Sequence, residues 1–164
     1  MTRNEYNRIV DEHADGLYRF ILKNLRDKEK ARDIVQEAFT KVWLKKDEIE
    51  VTKSKSYLFT TAYHTMIDLI RKDERSVRLE LHHQSNEKSF NTYSDLKDVL
   101  DEALTQLPEI QRTVVLLRDY EGYSYAEIGE ITLLSEAQVK VYIFRARMTL
   151  KSYITSLDKV LEMN

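Results

Sequence analysis

The sequence predicts an all-α protein: two small helical domains joined by a flexible polar linker, the second containing a helix-turn-helix. Apolar residues recur at helical spacing in almost every stretch. Three Gly and one Pro leave few places for the chain to turn, so long helices are expected. The periodicity lapses between Ser76 and Ser94, where His82-His83-Gln84-Ser85-Asn86-Glu87-Lys88-Ser89 is polar and only Leu79, Leu81 and Phe90 interrupt it. The expected organisation is a first domain over 1–75, a linker over 76–94 and a second domain over 95–164.

From Glu5 to Leu25, Tyr6, Ile9, Val10, Leu17, Phe20, Ile21 and Leu25 predict one long helix, or two broken near Gly16. Asp27 is placed to cap a second helix from about Lys28 to Lys46. Ala31, Ile34, Val35, Ala38, Phe39, Val42 and Trp43 form its core stripe, with Asp33, Gln36, Glu37 and Lys41 on the other side. Lys45 to Ser56 is polar and reads as a loop. A third helix is expected from about Ser56 to Lys72, lined by Leu58, Ala62, Met66, Leu69 and Ile70. Tyr57, Phe59, Tyr63 and His64 fall off that stripe, near Lys53, Lys55, Arg71, Lys72 and Arg75, the stacking-plus-cation arrangement that suits unpaired bases.

Beyond the linker, Leu96, Val99, Leu100, Ala103, Leu104 and Leu107 make one stripe from Asp95. Pro108 restarts the chain into a buried-type helix, Glu109 to Tyr120, ended by Glu121-Gly122. Two capping signatures follow, Ser124 with Glu127 and Ser135 with Gln138, so a short and a long helix lie about three residues apart. On the long helix Val139, Ile143, Ala146 and Leu150 face inward, and Val141, Phe144, Arg145 and Met148 face outward, flanked by Lys140, Arg147 and Lys151. From Ser135 to Lys151 four Lys/Arg stand against one Glu, whereas from Asp101 to Glu130 two Arg stand against seven acids. A cationic helix on an acidic module concentrates phosphate attraction where a major-groove reader docks.

Composition excludes much else. With 42% apolar and 33% charged residues the chain is that of a charge-rich soluble protein. No apolar run approaches the roughly 20 residues of a membrane span. The first residues open straight into an amphipathic pattern, which predicts no signal peptide, and the absence of Cys excludes disulfides and thiol chemistry, so a cytoplasmic protein is expected. The net charge of −2 argues against a nonspecific polycation. Adjacent His82 and His83 diverge in direction and have no supporting carboxylates, so no metal is expected; nor is any cofactor, small-molecule substrate or catalytic residue.

Two segments carry a specific resemblance. Asp27-Lys28-Glu29-Lys30-Ala31-Arg32-Asp33-Ile34-Val35-Gln36-Glu37-Ala38-Phe39-Thr40-Lys41-Val42-Trp43 resembles the D-x-E-D-[LI]-V-Q-E-x-F-x-K-[LVA]-W segment of bacterial sigma factors, and Tyr57 to Lys72 resembles their promoter-melting helix. Leu107-Pro108, Arg112, Leu116-Leu117-Arg118, Gly122 to Ile128, Val139 and Ile143-Phe144-Arg145-Ala146-Arg147 resemble their C-terminal DNA-reading domain. Order, linker and length are similar to the extracytoplasmic-function group, from about Tyr6 to Tyr153.

The resemblance implies an alternative sigma factor, not an enzyme, that binds core RNA polymerase and directs promoter-specific initiation. Asp33, Gln36, Glu37 and Lys41 would meet the β′ clamp helices, and the second domain the β flap. Lys55, Tyr57, Phe59, Tyr63, His64, Arg71 and Lys72 would hold minus-ten DNA. Ser124, Gln138, Lys140, Val141, Phe144, Arg145, Arg147 and Lys151 would read the minus-thirty-five element. An anti-sigma factor is implied as a further partner. Two positions depart from the family pattern: His64 stands where Asn is usual, and Val139-Lys140-Val141-Tyr142 where many members carry Val-Arg-Ser-Arg. Alternatives are a free-standing helix-turn-helix regulator and an inactive sigma-like decoy.

Overall fold

The protein is described by a computed structural model covering residues 1–80 and 96–162, with side chains described over 1–76 and 96–158. Seven α-helices and no strand occur among these residues. The linker segment 81–95, with His82 and His83, lies outside the described residues.

α1 (Arg3–Leu25) is a single unbroken helix, opened by a capping box between Thr2 and Glu5. Gly16 does not break it, because its tertiary contacts outweigh a propensity cost of about 1 kcal/mol. Arg26 in the left-handed conformation (φ 55°) stops α1, and Asp27, accepting from the Lys30 N–H at 3.1 Å, starts α2 (Lys28–Leu44). A 3-10 turn over Val51–Lys53 leads into α3 (Ser54–Glu80). That helix runs past the expected end at Lys72, so residues 76–80 are helical rather than linker. The N-terminal core forms where Leu17, Phe20 and Ile21 of α1 meet Ile34, Ala38 and Val42 of α2 and Leu58, Ala62 and Met66 of α3.

The C-terminal helices are α4 (Leu96–Thr105), α5 (Glu109–Val115), α6 (Tyr125–Thr132) and α7 (Glu136–Glu162). Between α5 and α6 the expected regular helix end is replaced by a π-helical turn, Leu116–Tyr120, in which the Glu121 N–H reaches the Leu116 carbonyl at 3.1 Å. Gly122 then takes a left-handed φ of 76°, which glycine adopts without steric cost.

The two domains do not hang apart on their linker. Phe59 of α3 lies between Phe20 (centroids 5.6 Å) and Tyr123 of the C-terminal domain (5.2 Å), so the two cores run together. Polar pairs ring this contact. Arg19 clasps Glu121 through two hydrogen bonds of 3.0 and 3.1 Å, Lys23 meets Asp101 at 2.6 Å, and Arg26 meets Glu102 at 3.3 Å. Buried Asn24 accepts from Arg112 at 3.3 Å and from Thr113 at 3.4 Å.

Candidate polymerase and nucleic-acid interfaces

On α2 the spacing of the polar residues matches the helical turn, so Asp33, Gln36 and Glu37 share one exposed face opposite the buried Ala31, Ile34 and Ala38. Lys41 belongs at the edge of that face: its ammonium pairs with Glu37 at 3.1 Å and donates to Thr65 of α3 at 3.2 Å. The face therefore presents two carboxylates and an amide, one carboxylate already sharing a cation. Two carboxylates and an amide can accept a partner's guanidinium groups in bidentate fashion.

The helix-turn-helix is built as its caps predict. Ser124 and Glu127 exchange hydrogen bonds at 3.0 and 3.1 Å, and Ser135 and Gln138 do so at 2.9 and 3.1 Å. These bonds to Ser124 hold the Glu127 carboxyl below its usual range. Leu133 turns the chain with φ 62°, and a Cβ on Gly129 would come within 2.8 Å of the Leu134 carbonyl oxygen, so only glycine lets α6 and the turn approach this closely. Val139, Ile143 and Ala146 are buried, which leaves Val141 (45% exposed), Phe144 (65%), Arg145, Met148 and Lys151 pointing outward.

Three residues expected at that reading surface have other work. Ser124 is half-buried with its hydroxyl committed to the α6 cap. Arg147 is held bidentately by Asp119 at 2.6 and 3.0 Å, which anchors α7 to the end of the π turn. Gln138 uses its carbonyl oxygen on the Ser135 N–H, leaving only its amide N–H groups to donate outward. Lys140 stays exposed beside Glu136 (3.7 Å) and near the Tyr125 ring.

The α3 surface departs furthest from expectation. Arg71 and Lys72 are exposed, and Tyr57 and His64 are half-buried, the His64 ring edge-on to Tyr63 at 5.3 Å. Phe59 is only 1% exposed and Tyr63 7%. Lys55 turns its ammonium over the Tyr123 ring at 4.6 Å. The part of the expected base-binding face around Lys55 and Phe59 is covered by Tyr123 of the C-terminal domain.

Family models described as Sigma-70 region 2 and Sigma-70, region 4 match residues 9–76 and 97–150. The ECF RNA polymerase sigma factor SigM of Bacillus subtilis is 30% identical over 149 residues, covering 88% of this chain and 91% of its own. The chain belongs to the ECF RNA polymerase sigma factors. SigL of Mycobacterium tuberculosis, another ECF sigma factor, is 32% identical over 158 residues, with 87% of each chain covered. Among solved structures, the sigma factor RpoE, in complex with the anti-sigma factor NepR from Bartonella quintana, is similar with a TM-score of 0.78. It is 26% identical, and the match covers 92% of this chain and 96% of RpoE.

This sigma factor is thus a transcription initiation factor with two helical domains of the expected classes, and no described helix is long and apolar enough to cross a membrane. Sequence reasoning missed residues that close its domains on each other, Asn24, Glu121 and Tyr123, and the Asp119 that holds Arg147. Tyr123 carries the clearest mark of that contact. Its hydroxyl is buried without a hydrogen-bond partner among the described residues, and burial pushes its phenol pKa far up. The one available sequence signal was the clustering of acids and aromatics in Asp119-Tyr120-Glu121-Gly122-Tyr123, which helical periodicity does not interpret.

Proposed function

We propose that this sigma factor docks on core RNA polymerase through Asp33, Gln36 and Glu37 of α2, and reads the upstream promoter element through Lys140, Val141, Phe144, Arg145 and Lys151 of α7. The observation that carries the reading is the outward face of α7, apolar and cationic, standing clear of its own core behind a doubly capped turn. Val141 and Phe144 suit thymine methyl groups, and Arg145 a guanine edge or a phosphate. Arg147 positions the helix through Asp119 instead of reading DNA.

The minus-ten assignment divides in two. Arg71, Lys72, Tyr57 and His64 are accessible in the closed form, whereas Lys55, Phe59 and Tyr63 become available only when the C-terminal domain swings away. We infer that the closed form is the resting state and that docking on polymerase replaces the Phe59–Tyr123 contact. A partner of the kind seen with RpoE, an anti-sigma factor, would act on the same equilibrium by favouring closure. The protein then works in the cytoplasm, where polymerase and promoter meet, and supplies no catalytic chemistry of its own.

Run-off transcription with purified core polymerase and genomic promoter fragments tests this. Initiation that depends on the protein, and a promoter preference changed by Arg145→Ala with polymerase affinity intact, is the expected result. Duplex binding by the free protein without polymerase binding would instead favour a free-standing regulator.

A further inference from the structure

Two cations of α1 and the Arg26 that caps it each meet a carboxylate of the C-terminal domain: Arg19 with Glu121, Lys23 with Asp101 and Arg26 with Glu102. Two further cations break that complementarity. Lys28 at the start of α2 and Lys97 in the first turn of α4 line one cleft of about 470 Å³ between the domains. Neither takes part in an ion pair among the described residues. They belong to opposite domains, so their like charges oppose the closure that the other three cations favour.

An anion shared between Lys28 and Lys97 would reverse that sign. Tyr18 and Leu22 give the cleft lining an apolar stretch that a simple inorganic ion would leave bare. The volume lies in the range of small-ligand sites. Asp101 and Glu102 stand close by, but each is already hydrogen-bonded to its own cation, which offsets its repulsion of an incoming anion.

We propose that this cleft binds a nucleoside di- or triphosphate, its phosphates bridging Lys28 and Lys97 beside Arg26 and its base lying on Tyr18 and Leu22. Because the two lysines come together only in the closed form, the ligand holds the domains shut. A hundredfold excess over Kd shifts the open–closed equilibrium about a hundredfold toward closure. The regulatory consequence rests on the reading that opening is needed for initiation; the binding site itself does not.

The test is calorimetric titration of the full chain with magnesium-free ATP, inorganic pyrophosphate and adenosine. ATP is expected to bind, pyrophosphate to bind about tenfold more weakly, and adenosine to give no heat. Replacing both lysines (Lys28→Ala with Lys97→Ala) should weaken ATP about tenfold or more while the unliganded helicity holds and the melting temperature holds or rises. The chain has no Cys, so spin labels placed through Thr52→Cys and Ser152→Cys report domain separation, which ATP should narrow in the parent and leave unchanged in the double variant. No ATP binding at millimolar concentration, or equal binding by the double variant, overturns the site. Equal binding of pyrophosphate and ATP reduces it to an adventitious ion only, and a polyglutamate peptide binding as tightly as ATP reassigns it to an acidic segment. Nucleotide binding without any polymerase-dependent initiation would count against the sigma reading and leave the cleft standing.

Discussion

The two helices that carry the N-terminal domain's functional faces differ in what lies over them. On α2 the polar face is open, with Asp33 and Gln36 exposed. On α3 the aromatic face is covered, with Phe59 wedged between Phe20 and Tyr123. A polar face can wait in water at little cost. An aromatic face is an exposed apolar liability unless something covers it. On the proposed assignment, the difference teaches that the same chain can offer a polymerase-docking surface continuously while withholding a strand-trapping one.

The largest expected effect tests whether α3's face is structural as well as functional. Phe59→Ala should lower unfolding stability by about 3–5 kcal/mol in chemical denaturation, because it empties a site shared by both domains. A loss below 1 kcal/mol would mean that Phe59 is not part of a packed core. The contrast on α2 is Glu37→Lys, which should weaken polymerase binding about tenfold, or about 1.4 kcal/mol, while stability stays within about 0.5 kcal/mol. Equal polymerase affinity in the variant would remove the α2 face from the docking surface.

Smaller effects sharpen the closure itself. Glu121→Ala removes the bidentate partner of Arg19; the carboxylate side chain is 6% exposed but the guanidinium is 47%, so solvent screening limits the loss to about 1 kcal/mol. Interdomain distance measurements should show a larger open population, and an unchanged distribution would place closure elsewhere. Tyr123→Phe should leave stability unchanged or raise it by about 1 kcal/mol, since it deletes a buried hydroxyl with no partner. A drop of more than 1 kcal/mol would reveal a bond that the closed form hides.

The mildest test uses pH. The Glu127 carboxyl is depressed in the folded state by its bonds to Ser124, so its capping contribution is present above the ordinary carboxylate value and lost as pH falls through the depressed one. Glu127→Gln should therefore be slightly less stable than the parent at neutral pH and indistinguishable in acid. A gap that widens on acidification would contradict the assignment.

Much of the fold was legible because its signals are local. Capping boxes act over three residues and core stripes over one or two turns, so α6, α7 and their inward faces followed directly from Ser124, Ser135, Val139 and Ile143. The covered face of α3 was not legible, because Phe59 meets a residue 64 positions away in another domain, and an aromatic off the local stripe reads the same whether it waits for a base or for Tyr123. The charge of Arg147 likewise counts toward a cationic face until Asp119, 28 residues upstream, is seen to hold it. The π turn had no signature at all, since its residues are those of an ordinary apolar helix.

That turn has a consequence for how such a chain can change. A π turn carries one residue more than the α-helical turn it replaces, and each residue of an α-helix advances the chain by about 100°. Deleting a single residue between Leu116 and Tyr120 would therefore let the segment close as an ordinary α-helical turn with Glu121 and Tyr123 still facing Arg19 and Phe59, whereas a deletion elsewhere in α5 would turn them by about 100°. The grip between the two halves thus tolerates a one-codon deletion at the π turn and is sensitive to one elsewhere in the helix before it.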